Sequence, residues 1–140
     1  MTYMIVEPLA PAEFGSRSVF EHRSDRLIVH RPHLLVKGWL GDELWTSIRY
    51  YFISESLADQ MRRAGISGFR TGQVDVEPDF DDEADVGIQL PHMLELIVEG
   101  TFGQDDLVLA PDRRLLVSVR AWATIQPLAP HARVKDWKEH

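Results

Sequence analysis

Only twice in 140 residues does a strand-like run hand over to helical periodicity, and both times it does so through a serine. The two junctions are Phe52-Ile53-Ser54 and Leu116-Val117-Ser118, 64 residues apart. A serine at such a junction can accept a hydrogen bond from the first turn of the helix that follows, so it both ends the strand and starts the helix. After Ser54, Leu57, Ala58, Met61 and Ala64 recur on one helical face, with Glu55, Asp59, Gln60, Arg62 and Arg63 largely away from it. Gly65 supplies the left-handed residue that stops the helix, and Ile66 is placed to pack back on Met61. After Ser118 the apolar stripe is Val119, Trp122 and Ile125, curtailed by Pro127. Serine caps are common, so the paired junctions suggest duplicated β-α-β units without establishing them.

The rest of the chain reads as sheet. Tyr3 to Val6, Leu27 to His30, Leu34 to Trp39 and Ile48 to Ile53 are short β-branched, aromatic or aliphatic runs bounded by Pro, Gly or charge. Val74 and Val76 alternate with Gln73, Asp75 and Glu77, the period-2 signature of a strand with one buried and one wet face, and Pro78 ends it. Met93 to Glu99 follows with Leu94, Leu96 and Val98 inward, then Leu115 to Val117, and His131 to Trp137 as a closing strand. With 44% apolar side chains, a chain of this length can bury about two-thirds of its unfolded surface. The expected architecture is a single α+β domain over residues 1–140, a mixed or mainly antiparallel sheet packed on two helices.

Charge is unevenly distributed. Residues 71–112 hold twelve acidic side chains and no Lys or Arg, whereas the remainder carries a net charge of +5, giving −7 for the whole. Such segregation attracts cationic partners and speeds their association. It argues against a primary role in gripping nucleic acid, which calls for basic excess. The run Asp79-Phe80-Asp81-Asp82-Glu83-Ala84-Asp85 is expected to be an exposed loop, because so many unpaired carboxylates cannot be buried. The acids expected at a partner-binding surface are Asp75, Glu77, Asp79, Asp81, Asp82, Glu83, Asp85, Asp105 and Asp106. There is no cysteine, which removes disulfides and thiolate chemistry. The first residues lack a basic leader and a long apolar run, and no stretch approaches a membrane span, so the chain reads as a soluble cytoplasmic protein without a membrane partner.

Motifs for catalysis or cofactors are weak. Asp79, Asp81, Glu83 and Asp85 alternate as at the start of a calcium loop, but Ala84 stands where that loop needs Gly and Leu90 where it needs a bidentate Glu. His30 and His33 are separated by Pro32, which prevents a regular helix from presenting both, and a strand puts them on opposite sides. Ser54 and Ser118 lack the flanking glycines of a nucleophile elbow, and no glycine-rich phosphate loop occurs. Neither a metal nor a cofactor is expected. Trp39 and Trp45 flank a Gly-Asp-Glu turn and read first as core or lid packing.

Three stretches carry a resemblance: Gly38-Trp39-Leu40-Gly41-Asp42-Glu43; Tyr51-Phe52-Ile53-Ser54-Glu55-Ser56-Leu57; and Ala64-Gly65-Ile66-Ser67-Gly68-Phe69 with Val74-Asp75-Val76. In the C-terminal half, Leu94-Glu95-Leu96-Ile97-Val98-Glu99-Gly100, Gly103-Gln104-Asp105-Asp106 and Arg114-Leu115-Leu116-Val117-Ser118-Val119-Arg120-Ala121 continue it. The succession from Val36 to Trp137 resembles small bacterial immunity-type proteins of polymorphic and contact-dependent toxin loci, relatives of the double-CXXCG immunity proteins among them. This chain has none of that branch's cysteines, so the resemblance implies no zinc. It implies a non-enzymatic protein that binds and neutralises a cognate toxin, and the acidic residues above imply that the toxin domain is basic. The rival expectation is a small enzyme or ligand-binding protein with a pocket near His30, His33 and Trp39.

Overall fold

A computed structural model describes residues 1–23, 26–79 and 89–138. In chain order the strands are β1 (Tyr3–Glu7), β2 (Ala12–Phe14), β3 (Val19–Arg23), β4 (Arg26–Arg31), β5 (His33–Val36), β6 (Leu44–Ser47), β7 (Tyr50–Ser54), β8 (Phe69–Gly72), β9 (Asp75–Pro78), β10 (Met93–Val98), β11 (Leu107–Leu109), β12 (Leu115–Ser118) and β13 (Arg133–Asp136). Helix α1 (Glu55–Arg63) lies between β7 and β8, and α2 (Val119–Ile125) between β12 and β13. Two four-stranded sheets, β6-β7-β10-β8 and β11-β12-β1-β13, accompany a three-stranded sheet β2-β5-β9 and a β3-β4 hairpin. All named strand pairs are antiparallel except β5 with β9.

Both serine junctions behave as helix caps. Ser54 Oγ accepts the Leu57 backbone N–H at 3.0 Å, and Ser118 Oγ accepts that of Ala121 at 3.1 Å. Helix α1 ends in a Schellman arrangement: the Gly65 N–H reaches the Arg62 carbonyl and the Ile66 N–H the Met61 carbonyl, both at 3.0 Å. Gly65 has φ +71°, where a side chain is poorly tolerated. Leu57, Ala58, Met61 and Ile66 are buried, whereas Ala64, expected on the inner face, is exposed at the C-cap. In α2 the buried residues are Ala121 and Ile125, with Trp122 half-buried. Val119, placed by periodicity on the stripe, is 56% exposed, because the first turn projects beyond the core.

The 64-residue spacing marks a repeat of structure. Hairpin β6-β7 leads into α1, and the chain returns as β8 to the same sheet, leaving one slot between β7 and β8 that β10 fills. Hairpin β11-β12 leads into α2 and returns as β13, and the corresponding slot is filled by β1, the first strand of the chain. The registers agree: Met93 lies opposite Ser54, and Tyr3 opposite Ser118. The second unit is therefore completed by a strand from the other end of the sequence, a circularly permuted version of the first. One apolar cluster unites them, with Leu44, Ile53, Leu57, Met61 and Leu96 from the first unit and Val6, Leu107, Leu115, Val117 and Ile125 from the second.

Side-chain alternation sends the other faces elsewhere. Trp45, Phe52 and Met93 point away from the shared core and are buried with Ala12, Leu34 and Val36 of the three-stranded sheet. Strands thus dominate, and a sheet layer rather than a helix covers the back of the first unit. The expected strand from Ile48 to Ile53 begins two residues late. Ile48 and Arg49, at φ +50° and +58°, form the two-residue turn of the β6-β7 hairpin. Trp39 lies beyond the end of β5, past Gly38 at φ +72°.

Candidate partner-binding surface

Strand β9 carries the first of the expected acids. It pairs in parallel with β5 alone among the described strands, Val76 opposite Leu34 and Glu77 opposite Leu35. Val76 packs against the apolar cluster of the three-stranded sheet, so Asp75 and Glu77 take the other face. Asp75 is exposed, and its carboxylate has no hydrogen-bond or ion-pair partner among the described residues. Glu77 is half-buried and engaged: its Oε1 lies 2.8 Å from His33 Nε2 and 3.4 Å from an Arg17 guanidinium nitrogen. Asp79 is half-buried, its backbone N–H donated to the Val36 carbonyl at 2.8 Å. Asp81, Asp82, Glu83 and Asp85, with the loop expected there, fall outside the described residues.

The remaining acids of the set stand elsewhere, and one is corrected. Asp105 is half-buried at the β10-β11 connection, its Oδ2 accepting the Thr101 N–H at 2.7 Å. Asp106 is not a surface residue: it is 3% exposed and both carboxylate oxygens are taken. Oδ1 accepts the Ser118 hydroxyl at 2.6 Å, and Oδ2 accepts the Ser67 N–H at 3.0 Å and an Arg120 guanidinium N–H at 2.7 Å. Burial by itself would raise this carboxyl, but the bonds from Ser118, Ser67 and Arg120, with the Arg120 charge, together hold it below the ordinary aspartate value. Arg120 also donates to the Ala64 and Gly65 carbonyls, so the node ties the end of α1 to the start of α2.

A second buried carboxylate, Asp42, does the corresponding job in the first unit and was not singled out by its sequence context. It is 1% exposed; Oδ2 accepts the His131 N–H at 3.0 Å and Oδ1 lies 2.5 Å from His131 Nδ1. Its carbonyl accepts both indole N–H groups of Trp39 and Trp45 at 2.7 Å. Each acid stands just before the first hairpin strand of its own unit and caps the loop after the other unit's helix.

The three residues named for the rival pocket each have a separate partner. His33 is 4% exposed, packed under Gly15, where a Cβ would stand 2.4 Å from Nδ1. Its Nδ1 accepts the Arg17 N–H at 3.4 Å and its Nε2 faces Glu77, so both ring nitrogens are occupied. His30 is bound instead to Glu21 in the β3-β4 hairpin, and Trp39 to Asp42. Among the described residues no group of three or more His, Asp or Glu is placed to hold a metal ion.

What the fold adds is a trough beside β9. A hollow of about 420 Å³ is lined by Val74, Asp75, Val76, Pro78, Leu90 and Met93, and it shares Pro91 and His92 with a neighbouring hollow of about 430 Å³. The second continues along the N-terminal half of α1, past Glu55 and Asp59. Of the three carboxylates of the lining, Glu55 lies 2.6 Å from His92 and Asp59 3.1 Å from an Arg62 guanidinium nitrogen, Arg63 is also in the lining, and Asp75 alone has no such partner among the described residues. Glu55 and Asp59 lie outside the acidic segment of the sequence, so only the folded chain brings them to Asp75.

Folding also moderates the charge segregation. Glu77, Glu99, Asp106 and Asp112 are all paired with arginines from outside residues 71–112. No family model, curated protein or solved structure matches this chain. No described helix is long and apolar enough to cross a membrane.

Proposed function

We propose that this chain is a non-enzymatic, immunity-type protein that binds and neutralises a basic bacterial toxin domain through the trough beside β9. The observation that carries this reading is the combination in one trough of an apolar floor, an acidic rim with Asp75 and Glu55 exposed, and an edge strand. Val74, Val76 and Leu90 offer the floor for an aliphatic or aromatic anchor, while Asp75, Glu55 and Asp59 favour a cationic surface around it. The outer edge of β9 is open to a strand from the partner, since β9 pairs with β5 alone among the described strands. Asp75 leads in sequence into the acids Asp79, Asp81, Asp82, Glu83 and Asp85, which extend the steering charge. Asp105 has a supporting part at the β10-β11 connection, and Asp106 is assigned to the fold.

The test is co-expression with a toxin-sized open reading frame adjacent to this chain's gene. The expected result is growth rescue and a complex that survives purification, weakened by Val76→Asp together with Asp75→Lys. A growth arrest that the intact, folded chain fails to relieve sinks the proposal.

A further inference from the structure

A groove lies at the seam where the two repeat units meet by their hairpin turns, and it shares no lining residue with the trough beside β9. It encloses about 540 Å³ and is lined in part by Ile5, Ile48, Arg49, Asp112, Arg114 and Lys135. The turns are bonded to each other: an Arg49 guanidinium N–H donates to the Asp112 carbonyl and Arg113 Nε–H to the Arg49 carbonyl, both at 3.2 Å.

Two independent observations point to use of this groove. All the non-glycine residues at positive φ among those described gather in its two turns: Ile48 at +50°, Arg49 at +58° and Arg113 at +69°. A β-branched side chain is among the least tolerant of that conformation, and Ile48 gains no burial in return, being 64% exposed. A local rule is broken where packing gives nothing back, which is the pattern of a turn shaped for contact. The second observation is charge. Asp112 is already shared by Arg114, at 2.7 Å, and Arg49, at 3.9 Å. Lys135, also in the lining, has no ion-pair partner among the described residues, and with Glu7 and Asp112 counted the lining sets three cations against two carboxylates, a local charge of +1 in a chain of −7. The chain's net charge of −7 disfavours a long polyanion, whereas a short acidic motif needs only the local field.

We propose that this groove receives an acidic peptide segment of a partner protein, its carboxylates taken by Lys135, Arg49 and Arg114 and an aliphatic side chain laid against Ile5 and Ile48. The open edge of β13, which pairs with β1 alone among the described strands, runs past the same site through Lys135 and suits an extended segment. This surface is separate from the trough beside β9, and its partner has the opposite charge.

The probe is a fluorescein-labelled hexapeptide of alternating glutamate and leucine, followed by anisotropy at low salt, with its glutamine counterpart as control. Saturable binding of the glutamate peptide alone is expected, about threefold weaker for Lys135→Gln and weaker again with Arg49→Gln, the size of effect that solvent-exposed charge contacts give. Lys135→Arg should restore it, and Asp75→Lys should leave it unchanged. Lys135 is exposed and has no ion-pair partner among the described residues, so its variants test the assignment without touching the bonds between the two turns. No saturable binding, equal binding by Lys135→Gln, or displacement by a short single-stranded oligonucleotide as readily as by unlabelled peptide would each overturn the assignment.

Discussion

Asp106→Ala separates a structural carboxylate from a partner-binding one. The substitution removes the acceptor for the Ser118 hydroxyl, the Ser67 N–H and one Arg120 N–H. Ser118 is 3% exposed, so its proton is left without an acceptor where water is scarce, and the half-buried Ser67 N–H loses a charged partner. Each such loss costs about 1–2 kcal/mol. Arg120 contributes less: its side chain is 58% exposed, it keeps the Ala64 and Gly65 carbonyls, and solvent screens its pairing. The expected loss is about 3 kcal/mol, which at a typical urea dependence moves the unfolding midpoint down by about 1.5 M. The sign with pH follows from the lowered folded value. Stability from Asp106 is fully present above the unfolded aspartate value near 3.9 and is lost as pH falls through the folded one. The gap between parent and variant should therefore be constant near neutrality and shrink below about pH 4. Urea titrations at pH 7 and pH 3.5 provide the assay, and a variant within about 0.5 kcal/mol of the parent at pH 7 would refute the reasoning.

Gly15→Ala places a Cβ 2.4 Å from His33 Nδ1 and should cost about 2 kcal/mol by overpacking, read from thermal unfolding. Replacing the Ile48-Arg49 turn by Ile48→Asn with Arg49→Gly supplies the residues a two-residue hairpin with positive φ prefers, and should raise stability by about 1 kcal/mol in the same assay. Tyr51, whose hydroxyl donates to the Arg113 carbonyl at 2.7 Å, is pushed up to about 12 by burial. Ultraviolet titration should show it ionising after an ordinary tyrosine, and the stability it lends, present below about pH 10, should fall as pH rises from there towards 12.

The sequence was most legible where a local rule had no competitor. The serine caps, the Gly65 stop and the inward Leu94, Leu96 and Val98 follow from hydrogen bonding and periodicity, and the fold keeps them. Strands β2, β3, β6, β8 and β11 were not legible. They are three to five residues long, and runs such as Val19-Phe20-Glu21-His22-Arg23 mix polarities because their faces are largely exposed. Ile48 read as strand because β-branching outweighs everything else in a propensity argument, and a turn made of Ile and Arg carries none of the usual turn chemistry. Asp106 misled for a related reason. A carboxylate that is buried because three donors surround it looks, in sequence, like one that faces water. Of the paired junctions only the serines were visible. The strand exchange that makes them a repeat joins β1 to β12, more than a hundred residues away, which no local pattern encodes.

The most direct test of the proposed function is the association rate of a partner captured with the adjacent gene product, measured by stopped flow for the parent and for Asp75→Lys combined with Glu55→Gln and Asp59→Asn. Rim charges act mainly on encounter, and at about 10 Å in water each is worth a few tenths of a kcal/mol against each partner charge. The triple variant should associate about fivefold or more slowly at low ionic strength, and the difference should disappear near 0.5 M salt, where screening is nearly complete. Equal rates for parent and variant at low salt would contradict the account.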